Sequence, residues 1–296
     1  MDLSVDLGVR LRNPTILASG ILGMSLETLK RVYESGAGAV VSKSVGLEPN
    51  PGYENPTVVE VDCGYLNAIG LANPGVDSFA EELAKVDIPL FVSLYSGSAE
   101  GFRELVRRLD GFEVLGFELN LSCPHVKGVG LEVGSDPDAV YEIVRGCKRE
   151  TAKPIFVKLS PMVGVVEVAE SCKRAGADAV VLANTFRGMA IDVESMKPIL
   201  SNRFGGLSGP AVRPMVLALV YEVYEKVEIP IIASGGVVKW EDVVEYILAG
   251  ARAVEIGTGI AYRGLGIFKE LLSGLEEYMR RKGFERVEEL VGLAHE

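Results

Sequence analysis

The chain has 296 residues, 48% hydrophobic and 24% charged, with a formal net charge of −11. That length admits two ordinary domains or one large α/β barrel, and the apolar content supports a substantial core, which argues against disorder. The acidic balance argues against nucleic acid as the main partner, because phosphate binding needs a basic surface.

Short β-branched runs alternate with amphipathic helical patterns along the whole sequence. Strands are predicted at 15–19 (TILAS), 39–43 (AVVSK), 89–94 (PLFVSL), 116–121 (GFELNL), 154–159 (PIFVKL), 179–184 (AVVLAN), 230–236 (PIIASGG) and 253–258 (AVEIGT). Helices are predicted between them, at 26–36, 98–111, 136–150, 165–176, 213–227 and 240–250, closing at Gly or ahead of Pro. Strands apolar on both faces, alternating with helices, imply a parallel sheet covered by helices. Eight such units fit a closed (β/α)8 TIM barrel, spanning 1–296 as a single domain with extended βα loops at its C-terminal face. An open doubly wound sheet would carry GxGxxG after its first strand. Here the first strand leads into ASGILG, where the spacing is wrong.

Three stretches exceed a minimal barrel: 45–77, 122–137 and 186–213, all rich in Pro, Gly or Asn and all following strand ends. Loops of such length are usually functional, and in this fold that face holds the active site. For part of 186–213 an insertion without catalytic role, or an oligomer contact, is the plain alternative. The N-terminus carries acids and no apolar targeting core. No stretch approaches the roughly 18 apolar residues of a membrane span, so a cytoplasmic protein is expected.

Polar residues stand at strand end after strand end: Ser19, Lys43 with Ser44, Asn120, Lys158, Asn184 with Thr185, Gly235 with Gly236, and Gly257 with Thr258. Singly, each could be a cap or a satisfied core group. The lysines are harder to dismiss, because an ammonium is rarely buried without an anionic partner. With no Asp or Glu at the equivalent strand ends, a bound anion is the expected counter-charge. The turns ASGGV and EIGTG, preceded by GGLSGPA, bring paired glycines to expected helix starts, a phosphate cradle in barrels of this kind. Asparagines 67, 73, 120 and 184 suit a ligand with amide-like donors and acceptors, although turn chemistry accounts for Asn73 before Pro74.

Cysteines 63, 123, 147 and 172 form no CxxC or Cys/His cluster, which argues against any metal site or iron–sulfur centre on this chain. Only His125 and His295 are available for histidine chemistry. Cys123, just past the fourth strand in ELNLSCPHVKG, reads as a core filler or as a thiol held out for chemistry, and base rates favour the filler.

Several segments together resemble the class 1 dihydroorotate dehydrogenases. They are ASG (18–20), SKS (42–44), YLNAIGLANPG (65–75), ELNLSCPHVKG (118–128), VKLSP (157–161), ANTFRGMAID (183–192), GGLSGPA (205–211), ASGGV (233–237) and EIGTG (255–259). The likeness runs in order over nearly the whole chain. LNAIGLANPG, NLSCP and NTFRGMAID are its most specific parts, and NAIG with the GMAID hairpin resembles the heteromeric, NAD-linked branch, class 1B.

The resemblance implies an FMN-containing barrel that oxidises (S)-dihydroorotate to orotate in pyrimidine biosynthesis, with the C6 hydride passing to flavin N5 and the C5 proton to a base. It assigns Cys123 as the base, with Lys43 beside it in the catalytic set. Ser19, Lys43, Ser44, Asn120, Lys158 and Ala183 would contact FMN, and Gly209, Gly235, Gly236, Gly257 and Thr258 its phosphate. Substrate would lie among Lys43, Asn67, Ala68, Ile69, Gly70, Leu71, Asn120, His125, Asn184 and Thr185, with the loop 124–135 as a lid. Electrons would leave to a partner subunit carrying FAD and a [2Fe–2S] cluster, in a heterotetramer built on a homodimer of this chain. Three departures stand out: His125 and Met162 replace the family's usual asparagines, and SLYSG lacks an Asn near Leu94. A related dihydropyrimidine as substrate, or a non-catalytic phosphate-binding subunit, remain the alternatives. Cys63, Cys147 and Cys172 are expected to be structural.

Overall fold

All eight predicted apolar runs form parallel strands, in chain order, and close on themselves. The computed structural model describes residues 1–121, 134–161 and 164–295. A hairpin of β1 (Val5–Asp6) and β2 (Arg10–Leu11) precedes β3 (Thr15–Leu17) and β4 (Ala39–Val41). The excursion that follows carries β5 (Val58–Val61) and β6 (Gly64–Asn67). Then come β7 (Leu90–Leu94), β8 (Gly116–Asn120), β9 (Ile155–Lys158) and β10 (Ala179–Leu182). A second excursion holds β11 (Phe186–Gly188), β12 (Ile191–Asp192), β13 (Lys197–Pro198) and β14 (Gly205–Ser208), before β15 (Ile231–Ser234) and β16 (Ala251–Ile256). The barrel runs β3-β4-β7-β8-β9-β10-β15-β16 and back to β3.

Helices cover the barrel. Among the described residues they are α1 (Leu26–Glu34), α2 (Val76–Leu83), α3 (Ala99–Leu109), α4 (Pro137–Lys148), α5 (Val165–Ala175), α6 (Arg213–Lys226), α7 (Trp240–Leu248), the short α8 (Gly259–Arg263) and α9 (Ile267–Lys282). Six of them lie in the expected places, while α2, α8 and α9 are not among those predicted. Helix α3 shows why the sequence folds this way. Ser98 accepts from the Gly101 amide at its start (3.1 Å), and Phe102, Leu105, Val106 and Leu109 form one buried stripe at helical spacing. Pro137 and the Asp136 carboxylate, which accepts from the amides of Asp138 and Ala139, fix the start of α4.

Two of the long excursions are not irregular loops. Strands β5 and β6 from 45–77 and β11 and β14 from 186–213 pair antiparallel into one sheet, ordered β11-β14-β6-β5. A satellite core of Leu66, Ala68 and Leu200 supports it. Short strands interrupted by Gly and Asn give weak period-two patterns, so the composition suggested loops where strand pairing across distant segments made a sheet. Of the third stretch, 122–137, only its last residues are described, where they lead into α4.

Candidate active site

The strand-end polar residues join into a continuous line across the C-terminal mouth. The Asn184 side-chain amide donates to Asn120 Oδ1 (3.4 Å), and that of Asn120 donates to Ser44 Oγ (3.1 Å). Ser44 Oγ lies 2.9 Å from Ser93 Oγ, and the Ser93 amide donates to Ser42 Oγ at 3.1 Å. Asn120 is the register partner of Lys158 on the neighbouring strand. Residues from β8, from β9 and from the ends of β4 and β10 therefore meet at one level. Thr185 donates its amide to Asn184 Oδ1 (2.7 Å), fixing that side chain. Lys43 sits two residues beyond β4, where its amide donates to the Gly23 carbonyl at 3.0 Å, and Ala183 is buried just after β10.

Lys158 corrects one expectation. Its ammonium has protein counter-charges of its own: Glu255 of β16 at 2.6 Å and Glu118 of β8 at 3.6 Å, with Ser19 Oγ accepting at 3.4 Å. The acids stand within the strands rather than at their ends, Glu118 two residues before Asn120 on the same inward face. Exposures are 4% for Lys158, 2% for Glu255 and 0% for Glu118. Burial alone would lower the Lys158 pKa, but the two carboxylates outweigh it and hold the ammonium above the usual lysine value. The Glu118 carboxyl is pushed from 4.5 to about 8, first by burial and then by the charge of Glu255, with Lys158 opposing both.

That shift has a sign in the stability of the protein. The folded chain keeps a proton on Glu118 that the unfolded chain releases above 4.5, so the contribution is complete below 4.5 and lost as pH rises through about 8. The unfolding free energy from denaturant titrations should fall across that window, with a limiting slope of about 1.4 kcal/mol per pH unit. Glu118→Gln should flatten the slope, and an unchanged slope would show that the proton resides elsewhere.

The glycine turns form a cradle tied together from three loops. A β-carbon on Gly236 (φ 71°) would lie 2.7 Å from the Gly209 carbonyl oxygen and 2.8 Å from Arg213 Cβ, and one on Gly209 (φ 107°) would lie 2.8 Å from Gly64 Cα. Only glycine tolerates both the positive φ and this closeness. Gly235 is held by the Tyr246 hydroxyl, which donates to its carbonyl at 2.6 Å, and Thr258 Oγ1 donates to Ser208 Oγ at 2.7 Å. A β-carbon at Gly257 would meet only Ala18 Cβ, at 3.5 Å. Backbone this bare, shared by the ends of β14, β15 and β16, fits a phosphate group. In one respect the geometry differs from expectation. Helix α7 begins only at Trp240, because the Asp242 carboxylate accepts from the amides of Val238 and Lys239 (2.9 and 3.0 Å) and builds its own cap there. Helix α8 does begin directly after Thr258.

The NAIGL segment follows β6 in the sheet over the mouth. The Asn67 amide donates to the Gly206 carbonyl at 3.2 Å, and a β-carbon on Gly206 would overlap Thr185 Oγ1, so Asn67 and Thr185 approach through one glycine. Ala68 is buried, with its amide on the Thr57 carbonyl (2.7 Å), and Ile69, Gly70 and Leu71 continue toward Asn73. Gly70 and Leu71 take positive φ, 76° and 59°. Asn73 is a brace, accepting from the amides of Gly46 (3.2 Å) and Gly75 (2.9 Å) and donating to the Leu71 carbonyl (2.8 Å) and the Tyr95 hydroxyl (2.9 Å). Leu94 is fully buried, and Tyr95 turns to this brace. Cys123, His125, Met162 and the loop 124–133 lie outside the described residues. Cys147 and Cys172 are buried on α4 and α5, each thiol pushed up to about 12 by burial, whereas Cys63 is exposed. Sequence reasoning missed Glu118, Glu255, Ser93 and Tyr246. A carboxylate inside an otherwise apolar strand, as in GFELNL and AVEIGT, was the available signal for the first two.

A family model described as dihydroorotate dehydrogenase matches residues 3–279. The dihydroorotate dehydrogenase B (NAD(+)) catalytic subunit of Pyrococcus furiosus is 46% identical over 298 residues, covering 99% of each chain. The protein of the same description from Methanothermobacter thermautotrophicus is 48% identical over 293 residues, covering 97% of this chain and 96% of its own. Among solved structures, a dihydroorotate dehydrogenase of Eimeria tenella in complex with ferulenol superposes with a TM-score of 0.87 at 24% identity, over 99% of this chain and 89% of that one.

Proposed function

The chain belongs to the dihydroorotate dehydrogenase family, and on that premise we propose that it oxidises (S)-dihydroorotate to orotate as the FMN-bearing catalytic subunit of a class 1B enzyme. The observation that supports this best is the line of Asn184, Asn120 and Ser44 beside the buried Lys158 at the barrel mouth. Such an array offers donors and acceptors to a flat heterocycle together with a fixed positive charge.

When bound, FMN supplies the acceptor for the two electrons and the hydrogen that leave C6. The remaining work belongs to this chain. Gly209, Gly235, Gly236, Gly257 and Thr258 hold the phosphate. Ser19, Lys43, Ser44, Asn120, Lys158 and Ala183 line the flavin, where the Lys158 ammonium favours negative charge on the ring. Asn67, Ala68, Ile69, Gly70, Leu71, Asn120, Asn184 and Thr185, with Lys43 and His125, hold the substrate amides and carboxylate. Cys123 takes the C5 proton, and the positive charge of Lys43 raises its thiolate fraction. A partner subunit carrying FAD and a [2Fe–2S] cluster would take up the electrons for delivery to NAD, within a cytoplasmic heterotetramer. Among the described residues no helix is long and apolar enough to cross a membrane.

The purified chain should carry a flavin absorbance spectrum that bleaches when dihydroorotate is added without oxygen. A spectrum with no flavin bands would sink the cofactor assignment. Bleaching by dihydrouracil or dihydrothymine in preference to dihydroorotate would move the substrate to a related pyrimidine.

A further inference from the structure

Two carboxyl groups and one ammonium lie together inside the barrel, and their formal charges do not cancel. Lys158 Nζ is 2.6 Å from Glu255 and 3.6 Å from Glu118, on strands β9, β16 and β8, and all three side chains are almost wholly excluded from solvent. Among the described residues, neither Glu118 oxygen has a hydrogen-bond partner within the ordinary distance. Ionised throughout, the cluster would bury one uncompensated negative charge on a carboxylate with unsatisfied lone pairs, which is costly by desolvation. A single added proton makes it neutral. The charged groups acting on Glu118 are Glu255 and Lys158, with the Ser19 hydroxyl also near. Its strand neighbours in register are Ser93 on β7 and Phe156 on β9, neither of them charged.

We propose that the cluster holds one added proton, on Glu118, while Glu255 pairs with the Lys158 ammonium, and that this neutral cluster positions the ammonium and sets the electrostatic potential at the flavin. The inference rests on the assignment of Lys158 to the flavin given above. One carboxylate would suffice to neutralise the lysine. The second adds a group that can gain or lose a proton while the ammonium stays in place, so both acids act as positioning residues.

Infrared spectra of the full-length, flavin-loaded chain on the acid and alkaline sides of about pH 8 test the proposal. The wild type should show the carbonyl stretch of a protonated carboxylic acid on the acid side and lose it on the alkaline side. Glu118→Gln and Glu255→Gln should each abolish that band, because the remaining carboxylate becomes the sole counter-ion of Lys158 and ionises. Flavin midpoint potentials should stay near the wild-type value in both single variants and rise in the double variant, where the ammonium stands uncompensated. A wild type without the band overturns the proposal. So does a band that persists in Glu255→Gln, which would place the proton on Glu118 independently of its neighbour, or an unmoved potential in the double variant. If one variant fails to fold, the other and the wild-type titration still decide. A flavin-free protein that shows the titrating band would instead sink the cofactor assignment and leave the cluster's added proton standing.

Discussion

Lys158→Met is expected to lower folding stability by about 3–5 kcal/mol near neutral pH and to abolish most turnover with dihydroorotate. The stability loss does not come from the packing of the lysine, since methionine replaces much of the aliphatic stem. It comes from Glu118 and Glu255, which lose the ammonium that faces both. With one of them already protonated, the other must take up a second proton or stay charged in a low-dielectric interior. The penalty should therefore shrink as pH falls, because protonating both carboxyls removes the charge at fault. Chemical denaturation of variant and wild type across acidic and neutral pH measures this directly. A penalty that did not change with pH would show that the lysine is held by packing rather than by the two acids. Bound flavin should survive the substitution, since the glycine cradle gains no side chain from it, so lost turnover with retained absorbance would separate chemistry from binding.

Cys123→Ala should keep its flavin and lose roughly 10²–10⁴-fold in turnover, the usual contribution of a positioned general base. The C5 proton of dihydroorotate is weakly acidic, and without a base its removal has to await solvent. A thiol suits the role because its ordinary pKa, about 8.5, leaves a usable thiolate fraction near neutrality. The wild-type rate should accordingly rise with pH along one ionisation, and that rise should vanish in the variant. Steady-state rates across pH, taken with the absorbance of bound flavin, check both points. Turnover close to wild type would remove Cys123 from the role of base. Cys147 and Cys172 do not offer the same chemistry, because their thiols are buried and pushed up to about 12, which leaves almost no thiolate.

The barrel was legible because its signal is strong. Eight doubly buried β-branched runs, six of them followed by a recognisable amphipathic helix, leave few other ways to cover a sheet, and all eight pair in order. The tight approach at the glycine turns was legible for a similar reason, since paired glycines after the last two strands have few structural uses beyond close backbone contact. What escaped was the pairing partner of Lys158. Reading strand ends alone located Lys158 and Asn120 but passed over Glu118 and Glu255, which lie lower on the same inward face. Their role depends on which strands sit across the barrel from one another, a fact of closure that no local window contains. The four-stranded sheet over the mouth escaped likewise, because β6 and β14 pair between segments far apart in the chain.

That sheet limits how the protein can be altered. Asn67 is oriented by a carbonyl 139 residues further along the chain, so the two excursions behave as a matched set rather than as exchangeable modules. Grafting either one from a relative would strand an unpaired edge above the mouth, and specificity in this lineage is therefore expected to change by compensated substitutions in both.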